Sequence, residues 1–278
     1  MAILLRGRSG VGVVEIFGAI GGGVRVPVYS RILDGLRIDK RFKAVIVDID
    51  SPGGTASGSE LLYHSLLRVA KEKPVVAYIR GTGASGAYYI SCAANTIVAL
   101  PTALVGSIGV IYLRPVLQQL LQKLGVSFSV YKGGRLKDMT GFWRSPTSEE
   151  ESKFTGLIDE IYDSFVRAVA AGRHMEEGRV REFATGEIFT GRGAKERGLV
   201  DELGDFDTAL DLAAQMGKTR RRPMWVRPRR PLLERFVGRI GGPGVTEGIV
   251  SELERVLRGG LYYMAPPYLA GDIEEDTD

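Results

Sequence analysis

The chain has one cysteine, Cys92, and only two histidines, His64 and His174. A single cysteine excludes an internal disulfide and a cysteine-rich metal site, and two isolated histidines cannot build a metal centre. The scarcity of histidine also removes the usual partner of a nucleophilic serine. His64 lies among leucines in a helical pattern and His174 follows a long helical stretch, so both read as surface or packing residues. Acidic and basic side chains are missing altogether from residue 81 to residue 113. Glycines, hydroxyls, Asn95 and Pro101 interrupt that stretch, which reads as a buried strand–helix–strand unit and not as a membrane span. The apolar opening of the chain (Met-Ala-Ile-Leu-Leu) is too short for a signal peptide or an anchor, so the expected location is cytoplasmic or peripheral to a membrane.

What is present is ordinary globular composition: 278 residues, 44% hydrophobic and 25% charged, enough for one large α/β domain with an appendage. The net charge of +4 is unevenly placed. Residues 218–230 carry seven basic side chains and no acidic one, and the last seven residues are mostly acidic. The body between is balanced, so no nucleic-acid partner is expected. Composition shifts near Gly217, which divides the chain into a domain over 1–217 and a Pro/Arg-rich linker and tail over 218–278, with an amphipathic helix at 248–257. The basic run reads as a solvated linker, and contact with anionic lipid headgroups is its functional alternative.

Hydrophobic periodicity predicts strands over 11–17, 43–50, 74–79, 96–100 and 127–131, and helices over 28–38, 57–71, 85–94, 116–124 and 206–216. Residues 189–203 read as a turn, a short helix and a strand. A long helix begins at Ser148, taken as its cap, and carries an apolar stripe from Phe154 to Val169, wide enough to pack on the body or on a partner subunit. Strands alternating with helices predict an α/β fold with a mainly parallel sheet, whose active groups gather at the carboxyl ends of the strands.

Two glycine turns fall at such ends: Asp50-Ser-Pro-Gly-Gly54, and Thr82-Gly-Ala-Ser-Gly-Ala-Tyr-Tyr89. Acyl transfer needs a nucleophile on a rigid turn and N–H donors aimed at the developing oxyanion. Ser85 is the candidate nucleophile. Its turn also matches G-x-G-x-x-G, but the acidic residue that a dinucleotide site needs some twenty positions later is missing. Nor is it G-x-S-x-G, since position 87 is alanine. With histidine removed, a lysine base is the remaining solution, and Lys137 in Gly133-Gly-Arg-Leu-Lys-Asp138 follows a predicted strand. On spacing alone Lys137 reads as a solvated loop lysine before it reads as a base. A lysine base must be neutral at working pH, which burial promotes by penalising the ammonium form. Ser107, in Gly106-Ser-Ile-Gly109, is a candidate for orienting the amine. No cofactor or metal is required by this chemistry.

These motifs, in this order and spacing, resemble the signal peptide peptidase A group of serine–lysine peptidases, within the Clp/crotonase superfamily; the likeness covers roughly residues 10–216. The resemblance implies a Clp/crotonase-like ββα superhelix around a parallel sheet, with the long helix serving oligomerisation. It makes Ser85 the nucleophile and Lys137, 52 residues later, the general base. It assigns the oxyanion hole to the Gly54 and Gly86 amides and the base-orienting hydroxyl to Ser107. A ring, octameric in single-domain members, with the dyad shared between neighbouring subunits is implied too, as are extended hydrophobic peptides such as signal-peptide remnants. The segment Leu261-Tyr-Tyr-Met264 resembles the aromatic tail that such proteins can place in their own grooves. Two departures stand out: no membrane anchor is seen, and residues 140–146 after the lysine are bulkier than usual. A crotonase-type acyl-CoA hydratase or isomerase, which uses a similar paired N–H hole, and a non-catalytic scaffold are the alternatives.

Overall fold

The computed structural model describes residues 9–228 and 260–264. The helix expected at 248–257 and the acidic tail lie outside the described residues. In chain order the elements are β1 (Gly10–Phe17), α1 (Val26–Ile38), β2 (Phe42–Ser51), β3 (Gly53–Thr55), α2 (Ala56–Ala70), β4 (Val75–Ala84) and α3 (Gly86–Ser91). Next come β5 (Thr96–Ala99), β6 (Leu104–Gly106), β7 (Ile111–Leu113), α4 (Gln118–Lys123), α5 (Ser148–Arg173) and α6 (Glu177–Phe183). The last are β8 (Ile188–Thr190), α7 (Gly191–Glu196), β9 (Glu202–Leu203), α8 (Phe206–Met216), β10 (Pro223–Trp225) and β11 (Gly260–Met264). Two compact units result. Described residues 9–110, 163–228 and 263–264 make the first, and 111–162 with 260–262 make the second.

The first unit is built on a sheet in the order β10-β1-β2-β4-β5-β9, with every pair along this path parallel. Residues 44–49 of β2 are buried on both faces, the pattern of a central parallel strand covered on each side. On one face Val11, Val13, Ala44, Ile46, Val76, Tyr78 and Val98 meet Ala209, Leu210 and Ala213 of α8. On the other, α1 presses so close that a Cβ added at Gly12 would fall 2.5 Å from Leu36 Cδ2. Helix α1 starts two residues earlier than the periodicity suggests because Pro27 suits a first turn, where its missing N–H is not needed.

Among the described residues β3, β6, β7, β8, β10 and β11 escape the periodicity reading, and three of them show why. β6 and β7 are only three residues each, and β6 bonds to β4 on one side and antiparallel to β8 on the other. The third, β10, adds to the edge of β1, so the sheet continues beyond Gly217 into the basic run. That run is not uniformly solvated: Arg221 pairs with Asp207 and Asp211, and Arg227 with Glu15, while Lys218, Arg220 and Arg222 are exposed. No helix among the described residues is long and apolar enough to cross a membrane.

In the second unit β7 pairs antiparallel with residues 260–262. The strand expected at 127–131 is not formed. Phe128 instead stacks on Trp143 at 5.7 Å between ring centroids and meets Phe142 edge-on, an aromatic contact that takes the place of sheet pairing. Helix α5 is capped by Thr147 and not by Ser148. Thr147 Oγ1 accepts the Glu150 N–H (3.3 Å) and Glu150 Oε2 accepts the Thr147 N–H (2.9 Å), a reciprocal capping box.

Glu150 also takes the guanidinium of Arg144, which bonds in turn to Asp138. Both carboxyls are held down to about 2, Glu150 chiefly by Arg144 and Asp138 by Arg144 and then Lys132. A carboxylate with a depressed folded value stabilises the fold above its unfolded value, here about 4.5 for Glu150, and loses that contribution as pH falls toward about 2. Thermal melts from pH 6 to pH 2 should therefore fall more steeply below about pH 4.5 in the wild type than in Arg144→Ala. Parallel curves would show that this network contributes nothing.

Candidate active site

The site begins with a break in the β2–β4 ladder. Pairing runs regularly to Ile49↔Ile79 and resumes at Ser51↔Gly83, so three residues of β4 stand opposite one of β2. Over the same residues β4 leaves β5 and takes β6 as its other neighbour, from Thr82↔Leu104 onward. The bulge carries the strand past Ile79, where its hydrophobic run ends, and delivers it to Ser85.

Ser85 sits between β4 and α3 with φ 51° and ψ −120° and is almost wholly buried. A serine held at positive φ costs on the order of 1–3 kcal/mol, and such strain persists only where the surroundings enforce it. Here the Ser85 N–H donates to Gly106 O (2.7 Å) and the Ser85 carbonyl accepts from the Tyr89 N–H (2.9 Å). The geometry is that of a nucleophile on a sharp strand-to-helix turn.

Two further turns meet it. Gly53 has φ 100°, donates its N–H to Ser51 Oγ (3.2 Å), and approaches so closely that an added Cβ would fall 2.7 Å from the Gly86 nitrogen. Gly54 rests against Ile20, whose carbonyl oxygen would lie 2.0 Å from a Cβ there. On the other side, Gly106 has φ 105° and Ser107 φ 50°, and the buried Ser107 donates its N–H to Glu187 O (2.7 Å). Four of the five expected site residues, Ser85, Gly54, Gly86 and Ser107, thus stand on three adjoining turns of the first unit. Lys137 belongs to the second unit, where it is exposed and donates its N–H to Gly134 O (3.2 Å).

Other potential nucleophiles and bases are placed elsewhere. Burial pushes the Cys92 thiol up to about 12, which leaves it inert. His64 is exposed on α2 beside Glu60, and His174 is exposed after α5 at φ 53°.

An aromatic box beside Ser85 escapes the sequence reading as a unit. Tyr89, one turn beyond Ser85, stacks on Tyr263 at 5.3 Å and meets Tyr63 edge-on at 4.9 Å, and Phe165 leans on Tyr263 at 4.8 Å. Tyr263 is buried, and its carbonyl oxygen lies 2.1 Å from a Cβ built on Gly53 and 3.1 Å from one built on Gly86. Its side chain fills the box while its carbonyl lies over the glycine turns. Tyr89 was visible as part of the serine motif and Phe165 as part of a helical stripe, but nothing local in the sequence joins them.

Comparison with known proteins gives the family. A model of Peptidase family S49 matches residues 68–220. A protein of Synechocystis sp. named "putative protease" is 41% identical over 211 residues, 75% of this chain and 75% of its own length. The chloroplastic serine protease SPPA of Arabidopsis thaliana is 34% identical over 223 residues, which cover 76% of this chain but only 33% of that protein. Among solved structures, a mutant of the 1510-N membrane-bound stomatin-specific protease superposes with a TM-score of 0.50 over 80% of this chain and 99% of its own, at 17% identity, a likeness of fold. The class is therefore a serine peptidase on a Clp-like α/β fold. The chain belongs to Peptidase family S49.

The backbone at Ser85 yields a stability prediction. Glycine accepts positive φ without a Cβ clash, whereas alanine keeps the strain. Urea denaturation should find Ser85→Gly more stable than Ser85→Ala by about 1 kcal/mol. The opposite order would show that the turn holds no such strain.

Proposed function

We propose that the protein is an endopeptidase that uses Ser85 and Lys137 as a catalytic dyad on extended hydrophobic peptides, including remnants of membrane-derived segments. Neutral Lys137 takes the Ser85 hydroxyl proton as Oγ attacks the peptide carbonyl. The Gly54 and Gly86 amides receive the oxyanion, and the leaving amine takes the proton from the lysine. Water, activated by the same amine, then releases the acyl product and restores Ser85. Ser107 orients the lysine without adding charge. The backbone of Ser85, strained and tied to the Ser107 turn, is the observation that carries this reading.

The exposure of Lys137 in a single chain bears on assembly. A lysine base works only where burial penalises its ammonium form, so in this reading a neighbouring subunit covers Lys137. That requirement favours an oligomeric ring with the dyad shared between protomers. The aromatic box supports a preference for large apolar side chains, with Tyr263 seated as a substrate residue would be.

A fluorogenic hydrophobic peptide should be cleaved by the wild type, while Ser85→Ala and Lys137→Ala each lose on the order of a thousandfold or more of the rate at unchanged native mass. Mixing the two variants should restore part of the activity. Wild-type rates in either variant, or an inert wild-type oligomer, would remove the dyad. On long incubation the intact mass of the wild type should fall by loss of tail residues, while that of Ser85→Ala stays constant. Identical masses would rule out self-processing.

A further inference from the structure

We infer that Asp50 and Ser51 are positioning residues: their adjacent side chains hold the nucleophile's strand and the oxyanion turn in one frame. The inference rests on Ser85 as the nucleophile.

The broken ladder deprives the Thr82 N–H of a partner carbonyl on β2, and Asp50 Oδ1 takes that place at 2.8 Å. Gly81 makes this contact possible. A Cβ at residue 81 would fall 2.6 Å from Asp50 Oδ1 and 3.0 Å from Oδ2, so any side chain there evicts the carboxylate. Arg80, the first residue of the bulge, is held by the other carboxylate on this stretch of β2, with Nε 2.9 Å from Asp48 Oδ1. Each residue of the bulge is thus matched by something on β2. Asp50 is itself fixed through its main chain, its carbonyl accepting the Gly18 N–H at 2.9 Å.

Ser51 acts on the other half. Its buried Oγ accepts the Gly53 N–H across Pro52, which has no N–H of its own to offer. The contact holds Gly53 at positive φ and so directs the next amide, that of Gly54. Thr82 lies three residues before Ser85, and Ser51 three before Gly54. A small displacement at either contact therefore moves one catalytic group relative to the other, and misplacement by about 1 Å can cost on the order of a hundredfold in rate.

The test combines kinetics per titrated active site with amide hydrogen exchange over residues 80–86, in wild type, Asp50→Ala, Asp50→Asn, Gly81→Ala and the Asp50→Ala/Gly81→Ala double variant. Asp50→Ala and Gly81→Ala should each lower kcat about tenfold, with KM within about twofold, and speed exchange at Thr82. Asp50→Asn should keep most of the activity, because its amide oxygen can accept the same N–H. The double variant should be no worse than the poorer single one, since both changes break one contact. Ser51→Ala should lower kcat similarly, with Ser51→Thr restoring it. A purely structural role would reduce melting temperature and the fraction of titratable sites but leave kcat per site unchanged. That result, unaltered exchange at Thr82, or additive losses in the double variant would overturn the inference. Should the wild type prove inert, the reading of Ser85 falls, and the exchange arm decides by itself whether Asp50 holds Thr82.

Discussion

The register of β4 is the constraint on which the rest of the site depends. A parallel strand in a regular ladder would pair evenly with one neighbour on each side until it ended. Here β4 pairs with β2 and β5 through Ile79, bulges by two residues, and pairs with β2 and β6 through Ala84. Only the second half of the strand can bring its end against Gly106, whose carbonyl then takes the Ser85 amide. Without the bulge, β4 would end with its hydrophobic run at Ile79, and the turn that strains Ser85 would have no β6 to brace it.

Strain at Ser85 and Ser107 follows from that bracing. Two adjacent turns hold serines at positive φ, each with its amide bonded to a carbonyl on another segment at 2.7 Å. Every such residue costs stability that the surrounding packing must offset. The surroundings are suited to this, because α3, β4 and β2 are nearly all buried and their side chains cannot relax outward. A rigid floor of this kind suits the proposed acyl transfer, in which preorganised groups stand in place before substrate arrives.

How much of this was legible in the sequence depends on the distance over which each feature is encoded. Residues 44–49, apolar but for Asp48, announce a buried strand, and β2 lies there. Helix α8 runs from Phe206 to Met216, as its periodicity indicates. The two glycine turns are legible because their signal is local: Pro52-Gly53-Gly54 is a turn sequence, and Ser85 lies between Gly83 and Gly86. What could not be read is pairing. β6, β7 and β10 are three-residue strands whose identity comes from the neighbours they meet, and 127–131 alternates like a strand yet has aromatic partners in place of a ladder. The cap at Thr147 was missed by one residue because Thr147 and Ser148 are chemically equivalent candidates. Only the reciprocal bond with Glu150 separates them. Similarly, Tyr63, Tyr89, Phe165 and Tyr263 belong to four separate segments, and nothing but the fold makes them one box.

The same distinction explains why the sequence carries no signal of what the Asp50 side chain does. Its exposed carboxylate would ordinarily be solvated, and in the sequence it is only the residue before a Ser-Pro-Gly-Gly turn. Gly81, in the bulge opposite it, is one more glycine in a glycine-rich stretch. The two acquire meaning together, since the absence of a Cβ at 81 is what admits the carboxylate to the Thr82 amide. A glycine usually signals its own backbone freedom. Gly81 does not stand among the glycines held at positive φ, and its role is room for another residue's side chain. The two glycine turns are thus physically one structure, joined at the point where the ladder between them fails.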